Sequence, residues 1–314
     1  MRISALRKEL TYRKGIVYAV ACYVLWGVLP VFWKAITGLP ALNILAHRMV
    51  WSFVFLFLLI LITDRSTFLS YLRRPRLLLL LGIAGGLMGI NWGIFIYSVE
   101  NGHIIEAGLG YYFNPLINVL LGYLFLKERL APLQKLAVLL AFIGVLCFTI
   151  SYGKFPWISL SLALTFGLYG LTKKKAKLES MPALTVETLM VFPLALGFLI
   201  YSSHASVPTP FFFPHSVLTT LLLLISGVVT AVPLFWFGRA AQVIPLSTLG
   251  FIQYLAPTLQ LLLGVFVYGE AFSTDYLICF AFVWAGLILY TISILKGKRV
   301  KTADAEVGKS VLKG

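Results

Sequence analysis

Apolar residues fill the chain in blocks of about 20, the length that crosses a bilayer as a helix, and short polar stretches separate them. The pattern predicts ten spans: 15–33, 41–62, 77–98, 104–126, 133–151, 155–172, 182–201, 215–238, 245–267 and 273–295. The expected fold is therefore an all-α polytopic membrane protein. The basic start runs into the first apolar block with no small-residue cleavage pattern, so the first span is expected to be retained. Residues 202–214, with several prolines, read as an ordered surface loop. The polar tail 297–314 reads as lacking structure.

The stretch from Gly108 to Glu128 occurs twice. Shifted by 142 it meets Gly250 to Glu270, and Gly108/Gly250, Tyr112/Tyr254, Pro115/Pro257, Leu121/Leu263, Gly122/Gly264 and Glu128/Glu270 are identical pairs, followed by Gly144/Gly286. Trp26-Gly27 corresponds to Phe166-Gly167 at a spacing of 140, and Met49-Val50 to Met190-Val191 at 141. One module is thus used twice, over 14–151 and 155–296. Five spans per module is an odd number, so the second copy enters the membrane from the other side. The expectation is two inverted five-helix repeats, an architecture common in alternating-access carriers.

Composition agrees with the pattern: 60% of residues are hydrophobic, and the mean hydropathy is +0.94, against roughly 45–50% apolar in a soluble domain. The net charge of +15 would suit a nucleic-acid partner, but its placement argues otherwise. Of the 26 Lys and Arg, 23 fall on one side of the predicted membrane; Lys34 and Lys154 fall on the other, and Arg48 lies inside span 2. That asymmetry predicts cytoplasmic termini in a bacterial-type inner membrane, basic clusters near anionic headgroups and no nucleic-acid binding. Cys22, Cys147 and Cys279 lie in three different spans, and the four histidines are scattered, so no metal or cofactor is expected.

The paired segments NPLINVLLGYLFLKER and APTLQLLLGVFVYGEA, within ten spans in two modules, resemble the EamA-type transporters of the drug/metabolite transporter superfamily. The opening KGIVYAVACYVLWGVLPVFWK and the later ILAHRMVWS resemble its RarD branch. The resemblance covers about residues 14–296 and implies a carrier of small organic solutes. It also implies a role for Arg48, since an arginine is frequent in this span of such modules.

Several residues could carry that function. Pro115 and Pro257 each free the carbonyl four residues back, those of Tyr111 and Gln253, and are candidate hinges or tolerated kinks. Asn114 stands before Pro115 where the second copy has Ala256; Asn118 and Gln260 are either pathway amides or interhelical glue. Arg48, seven residues into span 2, is a costly charge that calls for a cavity or a partner, and its counterpart is Leu189. Glu106 lies at compatible depth, either pairing with Arg48 as a gate or stabilising a helix N-terminus. His47 reads as a core histidine, Glu187 as a shallow residue that snorkels or caps, and Glu128 and Glu270 as structural groups at the membrane surface. Tyr112 and Tyr254 precede the two prolines by three residues, and with Asn91, Trp92 and Gln253 they could line a cavity for a solute of mixed polarity, with Tyr111 a further candidate for the pathway.

A secondary transporter is the leading class. No GxxxxGK[ST] occurs, so an ion or solute gradient would drive it. A membrane enzyme acting on a lipid or amphiphile would need clustered acid and base groups, whereas the three Asp and eight Glu are dispersed. A channel or passive facilitator would need charge rings or a filter. The expected partners are a small-molecule substrate and the lipid bilayer, with the oligomeric state open between monomer and dimer.

Overall fold

The computed structural model describes residues 2–36, 38–101, 103–204, 216–269 and 274–311. All regular structure among them is helical: α1 Arg2–Lys34, α2 Ala41–Thr63, α3 Arg65–Leu72, α4 Pro75–Glu100, α5 Ile104–Leu126, α6 Pro132–Tyr152, α7 Trp157–Ala176, α8 Ser180–His204, α9 Val217–Val243, α10 Leu246–Gln253, α11 Leu255–Leu262, a π-helical turn Leu263–Val267, and α12 Thr274–Val311. Helices are the one open-ended way to satisfy backbone hydrogen bonds in hydrocarbon.

Eight stretches among the described residues are long and apolar enough to cross a membrane: Leu10–Lys34, Ala41–Thr63, Pro75–Ser98, Glu106–Leu126, Pro132–Ser151, Ser180–Ser203, Val217–Val243 and Leu246–Val267. The other two expected spans fall short of that measure. α7 ends in Lys173, Lys174 and Lys175, which cut its apolar length, and α12 holds a shorter apolar stretch, Phe280–Lys296. The backbone of α12 continues as helix to Val311 through a stretch expected to lack structure; Ala, Lys and Glu there are good helix formers. Residues 205–215, which hold most of the expected ordered loop, lie outside the described residues.

Local chemistry sets the helix ends. Proline opens α4 and α6, where a missing N–H costs nothing. Asp64 accepts from the Thr67 N–H at the start of α3, and Ser216 from the Thr219 N–H at the start of α9. The short helix α3, which the apolar pattern does not mark, lies against α8, and the Tyr71 hydroxyl accepts from the Glu179 N–H.

Apolar faces also turn outward. Val17, Val20, Val24, Val28 and Val31 form an exposed stripe on α1, and Leu136, Leu139, Phe142, Leu146 and Ile150 form another on α6. Lipid solvates such stripes, so helix association must rest on close packing and polar contacts. Glycines supply the closeness. Gly167 of α7 receives Ile117 of α5, and Gly27 of α1 receives Leu259 of α11; the glycines are 140 apart in sequence and their partners 142. α6 and α12 pair at one edge, with Gly286 against the Ala137 carbonyl.

Contacts divide the helix ends into two faces. On one, here the basic face, lie Lys127 to Arg129, the lysine run of α7 and the α9–α10 junction, joined by Lys174 donating to the Ala241 carbonyl and Gln242 to the Leu178 carbonyl. On the opposite face the Lys34 ammonium sits 3.3 Å from the Tyr268 ring centroid, and Tyr97 packs on Trp157.

Candidate functional site

The two copies of the repeated segment differ in shape. α5 runs unbroken through Pro115, whereas its counterpart breaks at Tyr254 into α10 and α11 and then loosens into the π-helical turn. Pro257 removes the hydrogen bond that would reach back to Gln253, and the Tyr254 N–H turns to the Phe251 carbonyl at 3.3 Å. Tyr254 itself keeps right-handed helical dihedrals, φ −58° and ψ −16°. α10 packs on α5, with Gly250 so close that an added Cβ would lie 2.8 Å from the Asn118 Cβ and 3.0 Å from the Pro115 carbonyl oxygen. α11 leaves α5 and packs on α1.

The repeated Gly and Glu explain how the basic face is closed at this crossing. Lys127 is left-handed, φ 54°, and the Glu128 N–H returns to the Gly122 carbonyl. Glu128 therefore folds back over Gly122, where a Cβ would come within 2.7 Å of its carboxylate. From there it accepts from the Leu246 N–H at 2.7 Å, the Ser247 N–H at 3.0 Å and the Ser247 hydroxyl at 2.7 Å. A carboxylate on free N–H groups at a helix start is favoured by both hydrogen bonding and the helix dipole. Glu270 lies outside the described residues.

Glu106 does the corresponding work at the other end of α5. Its Oε1 accepts from the Ile158 N–H at 2.8 Å, the Ser159 hydroxyl donates to its main-chain carbonyl, and His103 Nδ1 is 3.9 Å from Oε2. The expected pair with Arg48 is thus not formed in this structure. Glu106 caps a helix of the other half, because the start of α7 offers it unsatisfied N–H groups in a buried place.

Arg48 has different neighbours. Its Nε donates to the Thr230 hydroxyl at 3.1 Å, and its guanidinium carbon lies 4.5 Å from the Trp33 ring centroid and 5.2 Å from that of Trp92. Tyr111 is close enough to interact with its charge, and Phe95 packs 6.5 Å from Tyr111. Arg48, Trp33, Trp92 and Tyr111 are all half-buried.

The remaining expected site residues separate into other places. Asn91 donates to the Leu162 carbonyl and the Thr165 hydroxyl, joining α4 to α7. Gln253, Asn118 and Tyr23 form a buried network at the α5–α10 crossing, in which the Gln253 Oε1 accepts from Asn118 at 3.2 Å and from Tyr23 at 3.5 Å. Asn114 lies one turn away along α5, and its side-chain oxygen, like that of Asn118, has no partner. Tyr112 and Tyr254 touch each other at 6.4 Å, with the Tyr254 hydroxyl donating to the Tyr112 carbonyl. Tyr254 is fully buried, and Tyr112 faces away toward Phe280 and Phe148, at a narrow crevice between α5, α6 and α12. Among the described residues these groups therefore sit at separate helix contacts.

Below these groups an aromatic layer fills the centre: Trp26 lies 5.8 Å from its repeat counterpart Phe166, and both pack on Phe237, which stacks on Tyr169. Sequence reasoning missed the cluster beside it. Lys173 Nζ lies 2.5 Å from Glu187 Oε1, the Tyr169 hydroxyl donates to Oε2 at 3.2 Å, and both charged side chains are buried. Lys173 is thus not a loop charge, and Glu187 neither snorkels nor caps.

Residues 13–150 match the EamA-like transporter family. The chain is 44% identical to the uncharacterized transporter YojE of Bacillus subtilis (strain 168), over 91% of this chain and 96% of that one. It is 42% identical to protein RarD of Streptomyces exfoliatus, over 96% and 95%, and 40% identical to protein RarD of Escherichia coli (strain K12), over 91% and 97%. A crystal structure with 18% identity shares the fold, with a TM-score of 0.67 over 88% of this chain and 97% of its own. Similarity this extensive in sequence, on an all-helical membrane fold, makes the chain a member of the EamA-like transporter family, alongside the RarD proteins.

Proposed function

We propose that the protein is a secondary transporter that carries a small organic solute across a bacterial cytoplasmic membrane by alternating access, driven by an ion or solute gradient. Residues 14–151 and 155–296 act as inverted repeats, and both termini are cytoplasmic. The observation that carries this reading is that two segments of matching sequence take two shapes. α5 is continuous, its counterpart is broken at Tyr254, and the two meet on the basic face and part toward the other. Exchange of the two shapes would close the opposite face, which is how inverted repeats alternate access. Further support comes from counterparts that touch across the centre, Trp26 with Phe166 and Tyr112 with Tyr254. Pro115 and Pro257 are the hinges of this exchange. Arg48, Trp92 and Tyr111 belong to the solute pathway, while Glu106, Asn91, Asn114, Gln253, Tyr112 and Tyr254 hold the helices that move.

Gly250 tests the proposal. Leucine there cannot fit against Asn118 and Pro115, so Gly250→Leu should insert normally yet hold the basic face open. Uptake by proteoliposomes, scanned over a metabolite panel, should fall at least tenfold for every solute the wild type carries. Cysteine placed at Ser247 should become reactive to an impermeant reagent on the basic face. Normal uptake by this variant would remove the α5–α10 crossing from the transport cycle.

A further inference from the structure

Arg48 is a charge in a membrane helix with an incomplete set of partners. Neither the His103–Glu106 pair nor the Lys173–Glu187 pair includes it. Among the described residues its one hydrogen bond runs from Nε to Thr230, and the four N–H groups of its terminal nitrogens meet no acceptor there. The indole faces of Trp33 and Trp92 offset part of the charge, but a ring face does not satisfy the guanidinium fork. Such a charge inside a membrane calls for an anion. The second repeat has Leu189 at the matching position, so the site occurs once.

The surroundings define the rest of the ligand. Trp33 comes from the last turn of α1, Trp92 from α4, Phe95 from the same helix one turn on and Tyr111 from α5, all on the side away from the basic face. Each is half-buried, so part of every ring is open to contact with a ligand. A guanidinium fork takes a carboxylate through two parallel hydrogen bonds. One positive charge in an apolar setting is neutralised by a monoanion, whereas a phosphate dianion would leave an excess. We infer that Arg48, Trp33, Trp92 and Tyr111 form a binding site for an organic monocarboxylate with a planar, apolar body, the carboxylate on the guanidinium and the body between the indoles. That this ligand is the transported substrate rests on the transport reading; that it binds does not.

The test uses full-length protein in phosphatidylcholine nanodiscs and equilibrium binding of radiolabelled indole-3-acetate, indole-3-acetamide and tryptamine, which share a body and differ in charge. The acetate should bind at least tenfold tighter than either of the others. Arg48→Gln should erase that preference, Arg48→Lys should keep part of it, and Trp33→Leu should weaken the acetate by severalfold while keeping the order. Trp33→Leu and Arg48→Lys keep the test valid if Arg48→Gln does not fold. Equal binding of the three probes, no binding of any, or a preference for the acetate that survives Arg48→Gln would overturn the inference. Binding of the acetate without its uptake by proteoliposomes would leave the site standing and count against the transport reading. Uptake confined to neutral or cationic solutes would leave the transport reading standing and overturn the assignment of this ligand as its substrate.

Discussion

Either Lys173→Met or Glu187→Leu alone is expected to destabilise the protein by about 3–5 kcal/mol, and the double substitution by much less. The two groups lie 2.5 Å apart with their side chains 5% and 3% exposed, so removing one leaves the other charged and unpaired in a low-dielectric place. Tyr169 can donate one hydrogen bond to a stranded Glu187, which is not enough to replace an ammonium. A stranded Lys173 keeps the face of the Tyr169 ring, 5.3 Å away, and loses its carboxylate. The narrow crevice beside the pair, lined also by Leu81, Ala84 and Gln242, is largely apolar. A methionine–leucine pair can therefore fill the same space. Thermal unfolding in detergent micelles for wild type, both single variants and the double variant gives the coupling directly. Losses that simply add would mean the pair is held by its surroundings and not by its partner.

Gly227→Val is expected to cost about 1–3 kcal/mol or more through overpacking and to disable the Arg48 site as well. Gly227 of α9 meets the backbone of α2: an added Cβ would overlap the Trp51 carbonyl group and come within 2.7 Å of the Ser52 nitrogen. The Ser52 hydroxyl donates to the Gly227 carbonyl at 3.1 Å across the same contact. One turn along both helices the Arg48–Thr230 hydrogen bond joins the same pair. Separating the helices at Gly227 would thus pull Thr230 from Arg48. The readouts are the unfolding midpoint and the acetate-over-acetamide preference, both of which should fall. If Gly227→Val lowers stability and leaves the preference intact, the two turns of the interface are independent.

Most helices were legible in the sequence because membrane spans need apolar length and little else. The exceptions are instructive. α3 is eight residues long and mixed in character, started by the Asp64 cap, so nothing in an apolar pattern marks it. The break at Tyr254 was half legible: Pro257 signals a weak point, but Pro115 signals the same one in α5, which stays unbroken. The shared tyrosine and proline cannot say which copy is interrupted; the packing differs, with α10 on α5 and α11 on α1.

Side-chain pairing was less legible than the helices. Depth and expected orientation allow Arg48 and Glu106 to meet, but sequence does not show the competing N–H donor that the helix start at Ile158 offers a carboxylate. Thr230, 182 positions from Arg48, carries no local signal, although the Gly227 and Ala231 spacing beside it is the small-residue pattern of a close helix contact. Lys173 looks like its neighbours Lys174, Lys175 and Lys177, and only its facing position toward Glu187 sets it apart. The Gly and Glu of the repeat were visible as a pattern, and the structure supplies the reason in the fold-back of Glu128 over Gly122.

The exchange of shapes between α5 and its broken counterpart can be followed with two pairs of spin labels in a variant without native cysteines, reconstituted in lipid. Lys127 and Val243, both exposed, report the approach of the two segments at the basic face; Asn101 and Val267, also exposed, report it at the other. Alternating access predicts two distance populations for each pair, with the second short in the molecules where the first is long. Conditions that shift one ratio should shift the other in the opposite sense. A single fixed distance for each pair in protein that transports, or two distances that lengthen together, would contradict the account.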